Sequence, residues 1–191
     1  MSEPWFEVVS ADRPLTQGDL ILACPVLSWA VGGEGGPAEE AERLKGMVQV
    51  MQADVVVLTQ ACDLEHSKVS SVVLCPCHTL PALKAAWEEQ MSQRRQTPTE
   101  KAWKRYCDDV AAGYVWNQSL LNSFSGDLTT EIRVADFLQV FTIPRAVLED
   151  LLRRRDRPRL RLRPPYREHL SQAFARFFMR VGLPTPVEKT W

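Results

Sequence analysis

Short runs of aliphatic and β-branched residues, separated by polar turns, occupy the first part of the chain. Residues 20–24 follow the turn-forming sequence Gln17-Gly18-Asp19, and Pro25 is expected to end this strand because proline cannot donate a ladder hydrogen bond. Residues 55–60 begin with three valines in succession, which is typical of a strand buried on both faces. The two further runs that predict strands are 47–51 and 69–77.

The hydrophobic period changes to that of an α-helix between residues 81 and 113. Leu83, Trp87 and Met91 recur at four-residue spacing, and Thr97-Pro98-Thr99-Glu100 is a helix-start sequence ahead of a second periodic run. The pattern predicts a helical hairpin inserted into a β framework.

The chain then returns to strands and closes with a helix. Residues 132–141 predict one or two strands, which Pro144 ends before a short helix. Arginine and leucine alternate over 159–163, so an extended backbone would place all three guanidinium groups on one face. A last helix is predicted over 166–181, with an apolar stripe and a stop at Gly182.

These elements predict an α+β fold in a single domain over residues 1–191, with a small β-barrel core, an inserted helical hairpin and a C-terminal helix. A chain of this length can bury a sizeable core. The predicted parts are a barrel core over about 15–80 and 128–152, a helical insertion over about 81–124, and an arginine-rich segment with the C-terminal helix over 153–184. A glycine-rich loop is expected at 32–37 and a short helical turn at 38–46.

Composition favours a folded protein that stays out of membranes. Hydrophobic residues make up 45% of the chain and charged residues 25%, far from the balance of disordered chains. No apolar run approaches the ~18 residues that span a bilayer. The first residues lack the basic and apolar regions of a signal peptide, so we expect a soluble, cytoplasmic protein.

Charge is distributed unevenly along the chain. Residues 153–180 hold ten arginines and two acidic residues, a net charge of +8, which leaves −9 for the remainder against a total of −1. Such a basic segment predicts contact with nucleic acid or another polyanion, or else with the carboxylates of the same chain. The candidate phosphate-binding residues are Arg153, Arg154, Arg155, Arg159, Arg161, Arg163 and Arg167.

Several segments together resemble the MazF/PemK-like barrel proteins over about half of the chain. They are residues 17–22, 55–60, 72–76 and 134–143 with the helix that follows. The resemblance implies an SH3-like barrel, RNA as the substrate and a bacterial toxin or defence setting. Of the matching positions only Thr59 carries over, because Ala53-Asp54 replaces the arginine-proline pair that the family has before its second aliphatic strand. This replacement removes a cation expected to stabilise phosphate charge in the transition state.

Thr59, Gln60, Cys62 and Asp63 form the polar cluster at the end of the best-defined strand. One interpretation is a hydrolase or nuclease in which the Cys62 thiolate attacks, a histidine acts as base and Asp63 orients it. The candidate bases are His66, His78 and His169. The other interpretation is an ordinary turn, in which Asp63 accepts backbone hydrogen bonds and Cys62 packs inward.

We expect the chain to have no cofactor, and the alternative is that it binds zinc. Cys62, His66, Cys75 and Cys77 are the candidate zinc ligands, and Cys75 and Cys77 share one face of a strand. The usual zinc spacing of two residues between cysteines is absent. Five cysteines without a signal peptide favour reduced thiols, and buried thiols that pack as small hydrophobic groups are the other interpretation.

The favoured hypothesis is therefore a nucleic-acid or nucleotide-binding module in which the arginine-rich segment contacts phosphates. An enzyme that uses the loop from Thr59 to Asp63 is the first alternative. A structural domain that binds a protein partner is the second.

Overall fold

The computed structural model describes residues 3–30 and 40–179, and over these residues the chain is α+β, as the sequence predicts. The strands are β1 (Phe6–Val9), β2 (Asp19–Trp29), β3 (Val48–Val57), β4 (Ser71–Thr79), β5 (Gln118–Leu121), β6 (Phe124–Ser125), β7 (Thr129–Thr130), β8 (Arg133–Asp136), β9 (Phe141–Pro144) and β10 (Arg159–Leu162). The helices are α1 (Glu40–Met47), α2 (Ala61–Glu65), α3 (Leu80–Gln93), α4 (Glu100–Ala111), α5 (Arg145–Arg155) and α6 (Tyr166–Phe178).

One large antiparallel sheet organises the fold. Its strand order is β1-β10-β2-β3-β4-β8-β5, and β9 also pairs with β4. Strands β6 and β7 form a separate two-stranded sheet. Within the described residues the ladder runs from β1 to β5 without joining those two strands, so these pairings do not by themselves close a barrel.

The longest pair of strands, β2 and β3, differs from the sequence prediction. Strand β2 does not end at Pro25, which lies opposite Gln52 within the ladder. Proline is tolerated because β10 pairs only with the first residues of β2, so the other side of Pro25 meets no strand in the described residues. The two predicted runs at 47–51 and 55–60 are one strand, Val48–Val57, and Met47 is the last residue of α1.

A bulge gives β2 its bend. The register against β3 shifts between Ile21 and Cys24, and Ala23 lies in the left-handed region with a φ of 47°. Bulges of this kind bend a strand and increase its local twist. The shift divides β2 into a first part that pairs with both β10 and β3 and a second part that pairs with β3.

The sheet carries a hydrophobic core on each face, and β3 contributes to both. Val56 packs with Cys75 and Cys77 in one core, whereas Val55 and Val57 belong to the other. All three valines are fully buried, which confirms the prediction of a strand covered on both sides. Helix α6 packs on the first core and α5 on the second.

The predicted helical hairpin is confirmed in α3 and α4. The Thr99 side chain accepts a hydrogen bond from the Ala102 amide at 3.2 Å, which caps α4 as the helix-start sequence indicated. Trp87 and Trp103 pack with their ring centroids 5.5 Å apart, in a small core that rests on Val134 of β8. The last part of the predicted insertion, which was expected to reach residue 124, contains strand β5 and the start of β6.

The C-terminal helix packs as its stripe predicts. Leu170 is buried, and Phe174 and Phe177 lie against the core that includes Phe137. Val181 and Gly182 lie outside the described residues, as does the predicted glycine loop at 32–37. None of the helices in the described ranges has the length and apolar character needed to cross a membrane.

Candidate functional site

The start of the loop that follows β3 is held against β4 by the Thr59 side chain. Thr59 is nearly buried, and its Oγ1 accepts a 2.7 Å hydrogen bond from the Val73 amide of β4. Helix α2 begins directly afterwards at Ala61, without a side-chain cap from Gln60. The Thr59 hydroxyl thus ties two strand ends together.

Two distant segments meet this loop, the turn before β2 and helix α6. The side-chain amides of Gln17 and Gln60 each donate to Oγ of Ser171, both at 3.2 Å, and the Gln17 amide also donates to the Leu58 carbonyl at 3.1 Å. Two amide donors occupy the lone pairs of the Ser171 hydroxyl, and no base contacts it within the described residues, so it lacks the activation a nucleophile needs. Sequence reasoning missed Gln17 and Ser171 because no local pattern connects positions so far apart.

The candidate catalytic residues Cys62 and Asp63 lie next to one another, and among the described residues neither side chain hydrogen-bonds or pairs with a histidine. Cys62 is exposed, so the interpretation in which it packs inward is wrong. Its Sγ lies 3.8 Å from Oδ1 of Asp63, and Asp63 also pairs with Nζ of Lys68 at 3.9 Å. His66 contacts Cys62 through its backbone amide, which donates to the Cys62 carbonyl at 3.1 Å.

The buried cysteines have the properties of packing groups. Burial raises the pKa of the Cys77 thiol to about 12 and that of Cys24 to about 11, and it raises the pKa of Cys75 as well. Zinc binds the thiolate, which burial disfavours here. Across residues 3–30 and 40–179, no three or more His, Cys, Asp or Glu side chains are grouped to hold a metal ion.

Two of the seven candidate phosphate-binding arginines are buried in a clamp around one carboxylate. Asp19 is 0% exposed and accepts from Nε of Arg159 at 2.8 Å and from Nε of Arg161 at 2.5 Å. The same guanidinium groups donate to backbone carbonyls, including that of Pro14. The alternation of arginine and leucine does place both guanidinium groups on one face, but that face is covered, so neither reaches an external phosphate.

Two of the arginines in the last turn of α5, Arg153 and Arg154, are exposed. Arg153 and Arg154 share the carboxylate of Asp150 at 2.9 Å and 2.5 Å. The Arg154 side chain is 79% exposed, so this pairing leaves most of its surface in water. These two residues keep the accessibility that phosphate binding requires.

A groove of about 650 Å³ runs between β2 and the end of α5. Arg154, Arg155 and Arg157 line it beside apolar residues that include Leu22 and Leu152. Arg155 is partly engaged, because it donates to the Leu22 carbonyl at 2.7 Å. The groove is therefore a cationic concave surface formed in part by the arginine-rich segment.

The last two candidate arginines lie near the start of α6. Arg163 is partly buried, and its backbone amide donates to the Trp5 carbonyl at 2.9 Å. Arg167 pairs with the neighbouring Glu168 at 2.7 Å. Neither of them lines the groove beside α5.

A partly buried ion pair joins β8 to β3 at Asp54. Nη1 of Arg133 pairs with Oδ2 of Asp54 at 2.7 Å, and Oδ1 of Asp54 accepts from the Ala23 amide at the bulge, also at 2.7 Å. Arg133 is buried and comes from β8 rather than from β3. Sequence reasoning missed it because this pairing joins strands far apart in the chain.

The far half of the β2–β3 hairpin exposes large apolar side chains. Leu27 lies opposite Val50 and Trp29 opposite Val48, so two apolar cross-strand pairs stand next to each other. Val50 is 69% exposed, Leu27 62% and Trp29 60%. A strand pair of this kind normally turns polar residues to water.

Neighbouring elements extend the same exposed region. Leu138 and Val140 precede β9, Val147 belongs to α5, and all three are exposed. Two grooves of about 670 Å³ and about 630 Å³ cross the region, and both are lined by Leu27 and Thr142. We call this region the apolar surface; its exposed residues are Leu27, Trp29, Val48, Val50, Met51, Leu138, Val140 and Val147.

No protein-family model, curated protein or solved structure matches the chain. The apolar surface and the groove beside α5 are the two described surfaces that favour a specific function.

Proposed function

We propose that this protein is an interaction module that binds a partner protein through the apolar surface. The observation that carries the proposal is the grouping of eight exposed, large apolar side chains around two adjoining grooves. Single exposed apolar residues are ordinary, whereas contiguous groups of them mark binding surfaces. Most other aliphatic residues of the described strands are buried in the two large cores.

The free energy expected from burying apolar side chains exceeds that expected from exposed ion pairs, so the apolar surface is the better source of binding affinity. Complete burial of one Val, Leu or Met side chain contributes roughly 1.5–3 kcal/mol, so half of the apolar surface is enough to offset a large part of the cost of association. Exposed ion pairs such as those of Asp150 contribute about 0–1 kcal/mol each. Arg159 and Arg161 are already engaged within the protein.

Charge beside the apolar surface defines the chemistry of the partner. Arg154 lines the larger groove, and Arg153 lies close to it on α5. Asp150, which both arginines contact, is the acidic residue that lines this groove. The arrangement suits a segment whose apolar side chains are followed by carboxylates.

Labelled peptides test the proposal directly. We expect a peptide of leucines followed by aspartates to bind the full-length protein in fluorescence anisotropy, and a leucine–lysine peptide of equal length to bind at least tenfold more weakly. Val50→Ser should abolish binding of the acidic peptide. Tyr114→Ser is the matched control, because Tyr114 is also highly exposed but lies away from the apolar surface.

Two results would overturn this function. One is equal binding of the acidic and basic peptides, or no binding of either. The other is a dimer in sedimentation equilibrium that Val50→Ser dissociates, which would assign the apolar surface to a second copy of the chain.

The groove beside α5 supports a second candidate function, nucleic-acid or nucleotide binding. This candidate includes the SH3-like, MazF/PemK-like barrel and the toxin or defence setting that the resemblance implies. Its support is the set Arg154, Arg155 and Arg157 around an apolar floor. If this candidate is right, single-stranded RNA binds at low salt. The double variant Arg154→Gln/Arg157→Gln then makes the slope of log K against log salt concentration shallower by about 1–2. Absence of binding at low salt rules it out.

A further inference from the structure

A separate pocket of about 530 Å³ lies between the end of α4, strand β5 and helix α6. Its volume is in the range of small-molecule sites. It shares no residue with the apolar surface or with the groove beside α5. The lining side chains that matter for its chemistry are Trp5, Trp116, Gln118, Tyr166, His169 and Arg176.

Aromatic rings held by neighbouring rings line the pocket. Trp5 stacks on Tyr166 with centroids 4.3 Å apart and planes 14° apart, and Trp116 stacks on Phe177 at 5.4 Å and 7°. Stacking fixes the orientation of each ring before a ligand arrives. Rigid aromatic surfaces bind flat ligands with little loss of side-chain freedom.

The pocket is lined by basic side chains and not by acidic ones. His169 and Arg176 line it, and none of its lining residues carries a carboxylate. They lie seven positions apart on α6, two helical turns, which places both on the same face about 10 Å apart along the axis. Both are exposed, so a ligand reaches them without opening the fold.

Hydrogen-bonding groups for the edge of a planar ligand are present as well. Gln118 is buried at the pocket, and its Oε1 accepts a 2.6 Å hydrogen bond from the Tyr106 hydroxyl. Fixing the oxygen leaves the amide nitrogen as the donor. Strand β5, which contains Gln118, ends the sheet and pairs only with β8 among the described strands, so alternate backbone groups along its other edge are unpaired in the ladder.

We propose that this pocket binds a nucleoside monophosphate, with the base on the tryptophan rings and the phosphate at Arg176 and His169. The guanidinium of Arg176 suits two oxygens of a phosphate monoester. The Gln118 amide donates to an acceptor on the edge of the base. This site is independent of the proposed protein-binding function, because it lies on other residues.

Titration of the full-length protein with the four common ribonucleoside 5′-monophosphates tests the proposal. We expect at least one to bind saturably in calorimetry, with a Kd on the order of 10–100 µM, and to quench tryptophan fluorescence. The corresponding nucleoside should bind at least tenfold more weakly. Arg176→Gln should weaken nucleotide binding about tenfold or more. The control Arg94→Gln removes the same charge from an exposed position at the end of α3 that does not line the pocket, and it should leave nucleotide binding unchanged.

Three outcomes would overturn the proposal. The first is no saturable binding of any monophosphate up to millimolar concentration. The second is equal weakening by Arg176→Gln and Arg94→Gln, which would indicate diffuse charge rather than a site. The third is a 5′-phosphorylated oligonucleotide that displaces the mononucleotide and binds more tightly through Arg176, which would assign the pocket to the end of a nucleic-acid strand.

Discussion

At the residue scale, the Asp19 carboxylate is the counter-ion of two buried guanidinium groups. Removing its charge should therefore destabilise the fold more than the loss of a single ion pair would. We expect Asp19→Asn to lower the free energy of unfolding by about 3–5 kcal/mol, because Arg159 and Arg161 would remain buried without a counter-ion. Urea denaturation measures the loss.

Asp150→Asn is the control for this measurement. Its partners, Arg153 and Arg154, are exposed, so the expected change is within about 1 kcal/mol. Similar small losses in the two variants would show that the clamp around Asp19 contributes little.

The thiols should differ in reactivity according to their burial. In the folded protein at neutral pH, we expect a maleimide to label Cys62 first and Cys24, Cys75 and Cys77 only after denaturation, because these three are buried and burial raises their pKa values. Mass spectrometry after tryptic digestion identifies the labelled positions.

The rate at Cys62 also tests the enzyme alternative. Labelling no faster than a model thiol would count against an activated nucleophile. Rapid labelling of Cys75 or Cys77 in the folded protein would contradict the burial described here.

At the scale of single elements, the bulge in β2 stores backbone strain at Ala23. We expect Ala23→Gly to raise the free energy of unfolding by about 0.5–1 kcal/mol, because glycine adopts a positive φ without the steric cost of a Cβ. Thermal or urea unfolding detects the change.

Ala53 provides the matched control, since it lies opposite Cys24 in β3 with ordinary strand geometry. There the same substitution should lower stability by about 0.5–1 kcal/mol. Loss of stability in both variants would mean that the conformation of Ala23 is not strained.

Element types were more predictable than element limits. Hydrophobic period identified β4, α4 and α6 because each buries one regular stripe or run. It divided β3 in two, since the exposed and buried halves of that strand differ in composition, and it ended β2 at Pro25. Both errors have one physical cause: the pairing of β2 with β3 continues beyond the part that is covered on both faces, and only the packing of other elements determines how far that covering extends.

At the scale of the whole molecule, the helical hairpin should open more readily than the sheet. Leu83 is the buried residue of α3, whereas Val55, Val56 and Val57 of β3 are fully covered by the two large cores. We therefore expect amides of α3 to exchange with deuterium at a lower free energy than those of β3. Hydrogen-exchange mass spectrometry under native conditions distinguishes them, and equal protection would contradict this hierarchy.

The candidate surfaces were less predictable than the fold. The arginine-rich segment was read correctly as a concentration of charge, but sequence does not reveal that Asp19 lies against Arg159 and Arg161. The Gln17–Ser171 contact and the Trp5–Tyr166 stack likewise join distant positions. The sequence does not predict the exposure of Leu27 and Val50, because the same apolar pair occurs in covered and in uncovered strands.

The position of β10 has a consequence for how the chain is made. This strand lies between β1 and β2, and it is the only strand paired with β1 in the described structure. During synthesis, Phe6–Val9 must therefore wait until Arg159–Leu162 has left the ribosome, and the first segment stays open to chaperones while the intervening residues are made.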